Sequence, residues 1–173
     1  MTVNQPLSKL VMKKDILSDL PAFLCPTGYL IRHFEPDDER NWEELIRHSF
    51  TREVKFADKI SDHVPLYSDR LLFICRGNQP VATATAWELD SGDPKSWYVH
   101  MVGVLPEYSG KGLGYAVSLA ILHKIRESGG AAASLETDDF RLPAIRIYLK
   151  LGFQPVYLDD SHPGRWDRIL QRL

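Results

Sequence analysis

The sequence predicts a mixed α/β (α+β) domain organised around one central sheet, and three observations predict it. The chain has 173 residues, a length that suits a single domain burying one core. The stretch RLLFICR, the pair Gly77-Asn78 and PVATATAWEL make a β-hairpin signal, two apolar runs about a turn dipeptide. Elsewhere, segments with helical spacing of apolar residues alternate with short extended runs, the order expected when helices cover a sheet.

Taken in order, KLVMKKDIL alternates weakly, and Pro21 and Pro26 bracket a short apolar piece. Residues 1–27 therefore read as an N-terminal arm or extra strand with a linker. YLIRHF (Tyr29 to Phe34) is a strand, and EPDDERNWEELIRHSF opens a helix with Pro36 and acidic residues in its first turn. A second short helix is expected over Arg52 to Ile60. In the second strand of the hairpin, Val81, Thr83, Thr85 and Trp87 take one face and Ala82, Ala84 and Ala86 the other. SWYVHMVGVL (Ser96 to Leu105) is the next strand, stopped by Pro106.

Gly110 to Ser128 carries Leu113, Val117, Ala120, Ile121 and Ile125 at helical spacing and ends at Gly129-Gly130. AAASLET suits a buried strand. RLPAIRIYLKLGF reads as a short helix with Pro143 in its first turn and Gly152 at its end. FQPVYL and RWDRILQRL are expected to supply two final strands.

Composition excludes several classes. Lys plus Arg number 21 against 23 Asp plus Glu, so the basic excess of a nucleic-acid binder is missing. No apolar run approaches a membrane span, and the N-terminus has no continuous apolar core of a signal peptide; the expectation is a soluble, cytoplasmic protein without a membrane partner. Cys25 and Cys75 lie far apart, and Cys75 ends the run LLFIC, which favours a buried thiol over a disulfide or a nucleophile. The six histidines show none of the usual zinc spacings, so no metal is expected.

The chemistry concentrates in YSGKGLGYA, where Gly110, Gly112 and Gly114 alternate between a strand and a helix. A glycine-rich entry into a helix is an anion site, because the first N–H groups lack partners and the helix dipole is positive there. A Walker A loop needs Ser or Thr after its GK, but Gly112 follows Lys111; the dinucleotide fingerprint fails in both registers, which end on Tyr115 or Val117. Two readings stay open at this point, a tight turn with no ligand and a pyrophosphate loop of another kind.

VGVLPEYSGKGLGYAVSLAIL, followed by AIRIYLKLGF, closely resembles the GNAT superfamily of acetyl-CoA-dependent N-acetyltransferases. The family's loop, Q/R-x-x-G-x-G/A, corresponds to Ser109, Gly110, Lys111, Gly112, Leu113 and Gly114, with Ser109 in place of the basic or amide residue. A second family pattern corresponds to Arg141, Ala144, Tyr148, Gly152 and Phe153, with Arg141 replacing the frequent asparagine. The resemblance covers Tyr29 to Leu170 and divides the chain into an arm of residues 1–27 and an acetyltransferase domain of residues 28–173. It implies a mostly antiparallel sheet with helices on both faces and a splayed pair of central strands.

The resemblance also implies roles. Acetyl-CoA is the expected co-substrate, a primary amine of a small molecule or peptide the acceptor, and a homodimer is left open. Val102, Gly103 and Val104 would offer backbone groups to the pantetheine arm, with the Val102 N–H as oxyanion donor. Residues 109–115, through Tyr115, would hold the pyrophosphate, and Arg141 the cofactor near α-helical residues of the second motif. Tyr148 is the expected general acid for the leaving thiolate, against a plain packing role.

His100 is the candidate base, placed by strand alternation on one face with Tyr98 and Val102, against a purely structural histidine. Glu88 acting through water is the alternative base. Trp87 and Trp97 are candidates for an acceptor pocket, and Arg146 and Lys150 for phosphate contacts. Acceptor choice is expected to lie in Pro36 to Leu66 and the last strands. A non-catalytic acyl-CoA-binding or sensor domain is the rival function, and a longer acyl group the rival substrate.

Overall fold

A computed structural model describes residues 8–61, 68–89 and 96–173. Residues 1–7 of the arm and 62–66 of the expected acceptor segment lie outside them. Strands β1 (Leu10–Lys14), β2 (Leu30–His33), β3 (Leu71–Arg76), β4 (Gln79–Leu89), β5 (Ser96–Val104), β6 (Ala133–Thr137) and β7 (Gln154–Val156) form one sheet in the order β2-β3-β4-β5-β6-β1-β7. All neighbours are antiparallel except β5 and β6, which are parallel and pair only at Tyr98 opposite Ser134. Past that pair the two strands part, as the resemblance implies.

The helices are α1 (Glu39–Phe50), α2 (Leu113–Glu127), α3 (Leu142–Lys150) and α4 (His162–Leu170). They cover both faces of the sheet. A Cβ built on Gly103 would meet Leu45, Ile46 and Ser49 of α1 at 3.0 Å, so α1 lies directly on that face of β5. A Cβ on Gly114 would come within 3.0 Å of Ile147 and 3.6 Å of Val104, which places α2 against α3 and the opposite face. The hairpin strand β4 runs between these layers. Val81 to Ala86 are all buried, so its small Ala and Thr side chains admit helices on both sides.

Two expectations are corrected. RWDRILQRL is not a strand but most of α4, with Pro163 in the first turn and Arg165, Trp166 and Ile169 buried. Trp166 and Ile169 are three apart, which puts them on one side of a helix but on opposite sides of a strand. The helix expected over Arg52 to Ile60 is confined to one wide turn at Ala57–Ser61. Upstream, β1 lies inside the sheet between β6 and β7, with Leu10 and Met12 fully buried.

A bulge in β5 changes the expected faces. Thr85 pairs with His100 and Thr83 with Gly103, so Met101 and Val102 together oppose Ala84. Met101 takes a φ of 51°, unusual for a residue with a side chain. Directly opposed residues share a face, so His100 and Gly103 lie together on the α1 side. Val102 moves to the face of Val104, away from His100, which corrects the alternation expected from the sequence.

Candidate active site

The parted strands open a cleft of about 410 Å³. Its walls are the β5 segment Val102, Gly103 and Val104, the loop at Ser109, Gly110, Gly112 and Gly114, and Arg141, Ala144 and Tyr148 around α3. The direction of the β5 backbone follows from one bond: Leu105 N–H donates to Val81 O at 2.9 Å, toward β4. Alternate residues point the other way, so Val102 and Val104 turn their backbone groups toward the parted side. The Val104 carbonyl accepts from the Ser49 hydroxyl at 2.9 Å, leaving the Val102 groups and the Val104 N–H as the exposed edge.

At the loop, Gly110 and Gly112 have φ of 76° and 77°, a conformation L side chains resist. Gly112 is the N-cap of α2, and the N–H groups of Leu113, Gly114 and Tyr115 have no partner within the helix. The three other side chains expected at the pyrophosphate lie off the cleft lining. Leu113 is buried in the core, Lys111 sits 4.7 Å over the Tyr108 ring, and Tyr115 lies beneath Lys150 at 4.9 Å. Arg146 is turned away to the Leu173 carbonyl at 2.6 Å.

Tyr148 lines the cleft and also a second groove of about 160 Å³ on its other side. The residue is buried and packs edge-on against Phe153, ring centroids 5.9 Å apart. Burial pushes its phenol up to about 12, with the Arg141 charge pulling back, so it is a proton donor at neutral pH. Arg141 also lines both cavities; its guanidinium lies 4.1 Å over the Phe50 ring and its Nε 3.3 Å from Asp138.

The second groove contains His100, Tyr98, Glu136 and Thr137, with Lys9 and Arg52 at its margin. His100 Nε2 lies 3.2 Å from the Lys59 carbonyl, which can only accept, so Nε2 donates to it. Trp87 packs against the His100 ring at 4.4 Å. Glu88 is elsewhere: it opposes Trp97 across the hairpin, on the face away from His100, and pairs with Arg70 at 2.9 Å. Trp97 is fully buried beneath Arg70 at 4.8 Å, which makes it core.

Ser49, Tyr98, Arg52, Glu136 and Thr137 are not singled out by the sequence, because they are scattered over separate stretches of chain and carry no local signal. The hydroxyls of Ser118, beside the cleft, and Thr137 are buried without a hydrogen-bond partner among the described residues. Among the described residues no cluster of three His, Cys, Asp or Glu could hold a metal, and no helix is long and apolar enough to cross a membrane.

Comparisons with known proteins bear on the family and the fold. Residues 31–153 match the family model described as the acetyltransferase (GNAT) family. A mycothiol acetyltransferase of Thermomonospora curvata is 30% identical over 149 residues, covering 82% of this chain and 50% of that protein. One from Pseudarthrobacter chlorophenolicus is 44% identical over 147 residues, 79% of this chain and 46% of that protein. The chain thus spans about half the length of the curated relatives it matches.

Among solved structures, a GCN5-related N-acetyltransferase from Sphaerobacter thermophilus has a TM-score of 0.65 at 21% identity, over 86% of this chain and 48% of that one. The ribosomal-protein-S18-alanine N-acetyltransferase of Escherichia coli gives 0.64 at 19%, over 75% and 79%. These share the fold.

Proposed function

The chain belongs to the acetyltransferase (GNAT) family, and from that premise we propose that it is an N-acetyltransferase, moving acetyl from acetyl-CoA to a primary amine of a small molecule or peptide by direct attack. One observation carries the reading: Tyr148 stands at the wall shared by the cleft and the groove, where a cofactor from one side and an amine from the other would meet. The cleft residues fit the cofactor. Gly110 and Gly112 let a diphosphate approach the first N–H groups of α2, and the free edge at Val102 accepts an extended amide chain as an added strand would.

Acetyl-CoA supplies an activated thioester carbonyl. The chain's residues orient it and manage protons. The Val102 N–H would serve as the donor to the carbonyl oxygen, where a fixed donor is worth about 3 kcal/mol in the transition state. The imidazole of His100 would take the proton of the incoming amine, and Glu136 would draw an ammonium into the groove before attack. Tyr148 delivers a proton to the departing sulfur. The cytoplasm supplies both substrates.

A melting experiment tests the cofactor part. Acetyl-CoA at 100 times its dissociation constant should stabilise the native state by about 2.7 kcal/mol, and ATP or NAD by much less. Thiol release across amines, amino sugars and peptides then tests the transfer. Stabilisation with no thiol release from any acceptor would favour an acyl-CoA-binding domain, and equal stabilisation by all three nucleotides a generic phosphate site.

A further inference from the structure

The groove beyond Tyr148 has more to say about the acceptor than its amine. It brings together the cations Lys9, Arg52 and Arg141 and the carboxylates Glu136 and Asp138. Asp138 is committed twice, to Lys9 and to Arg141. Burial works against its ionised form, but those two cations hold its carboxyl below the usual carboxylate range. Arg52 has no acidic partner among the described residues.

Arg52 and Arg141 share one platform. Their guanidinium carbons lie 5.7 Å and 4.1 Å from the centroid of the Phe50 ring. A guanidinium stacked on a ring still presents its N–H edge sideways, the arrangement that forks onto a carboxylate. Thr51, between Phe50 and Arg52, is the left-handed C-cap of α1 at a φ of 52°, and that turn brings Arg52 back over the Phe50 ring.

At the acidic end, Glu136 lies two residues beyond the Tyr98–Ser134 pair, on the face of the sheet that carries His100, and has no basic partner among the described residues.

We propose that the acceptor is an amino-carboxylate, its amine lying by His100 and Glu136 and its carboxylate received by Arg52 on the Phe50 platform. This rests on the acetyl-transfer reading above. Arg141 adds positive potential there.

Matched acceptors test it: glycine with glycinamide, β-alanine with β-alaninamide, and glycylglycine with its amide. For each pair, the ratio of kcat/KM for acid over amide is measured by thiol release in the wild type and in Arg52→Gln, so that differences in amine basicity cancel. The ratio should fall about tenfold in Arg52→Gln, while the KM for acetyl-CoA stays unchanged. An equal ratio in both proteins overturns the proposal. Absence of thiol release from every amine counts against acetyl transfer, and the groove is then read directly. In protein labelled at arginine nitrogen and saturated with acetyl-CoA, glutarate should shift the Arg52 Nε–H resonance and glutaramide should not. An unmoved resonance overturns the carboxylate site whatever the fate of the transferase reading.

Discussion

The Tyr98 hydroxyl accepts a hydrogen bond from the Glu136 amide at 3.1 Å, at the point where β5 and β6 part. Tyr98 still pairs with Ser134 through its backbone, but two residues further on, its own side chain takes the N–H that a continuing parallel ladder would have used. Burial, with the Glu136 charge, pushes this phenol well above the ordinary tyrosine range, so it remains a neutral acceptor. The phenol thus caps the ladder and holds its end open.

Tyr98→Phe should leave the Glu136 amide without its acceptor. The expected loss of stability is about 1 kcal/mol, with roughly fivefold faster hydrogen exchange at that amide if it opens locally. Acetyl-CoA affinity should fall as the edge of β6 relaxes toward β5. Exchange at Glu136 and calorimetric binding would be measured together; unchanged exchange would mean that other contacts hold the strands apart.

Tyr148→Phe separates chemistry from packing. The ring contacts with Phe153 survive the substitution, so acetyl-CoA binding should be nearly unaffected while kcat falls by about 100-fold, the usual scale of general acid catalysis. A stability signature accompanies it. Tyr148 is raised from an ordinary 10.0 to about 12, so its contribution is whole below pH 10 and is lost as pH climbs from 10 toward 12. On the order of 2–3 kcal/mol is involved. Urea unfolding from pH 9 to 11.5 should show a shallower alkaline decline in the mutant, and parallel curves would place the phenol in contact with solvent.

The elements that the sequence displays are the local ones. The stripe Leu113, Val117, Ala120, Ile121 and Ile125 shows α2, and Gly77-Asn78 shows the hairpin, because each signal is complete within a few turns of chain. The glycine loop and the Tyr148 motif were legible for the same reason. The β5 bulge was not: nothing in HMVGV distinguishes it from a regular strand, and it is set by the pairing with Thr83 and Thr85 and by α1 seated on Gly103. In RWDRILQRL the apolar residues Trp166, Ile169, Leu170 and Leu173 recur at i, i+3, i+4 and i+7, a helical period, so α4 is written in the sequence and the strand expectation took the wrong period. The groove was hidden altogether, since Lys9, Arg52, His100 and Glu136 are brought together only by the sheet order.

If His100 is the base proposed above, His100→Gln should flatten the acidic limb of the pH dependence of kcat/KM, because that limb would then report protonation of its imidazole. Glutamine preserves a donor toward the Lys59 carbonyl, so the surrounding turn is kept. Glu136→Gln should instead raise the acceptor KM and leave the limb in place, since its charge only attracts the ammonium. A limb retained in His100→Gln and lost in Glu136→Gln would exchange the two roles.

Gly112 and Gly114 stand two residues apart and should fail in different ways. At Gly112 the space around an added Cβ is open and the φ is 77°, so a side chain there meets backbone strain and the cleft rather than the core. Gly112→Val should weaken acetyl-CoA by at least tenfold, about 1.4 kcal/mol, with a further loss of roughly 1 kcal/mol or more from the unfolding free energy. Gly114 has an ordinary φ but a Cβ position 3.0 Å from Ile147, so Gly114→Val should push α2 from α3 and cost about 1–3 kcal/mol of stability. Apo melting and calorimetric titration of each folded variant distinguish the effects. Wild-type affinity in Gly112→Val would mean that the loop glycines only turn the chain, and the diphosphate would have to be held elsewhere.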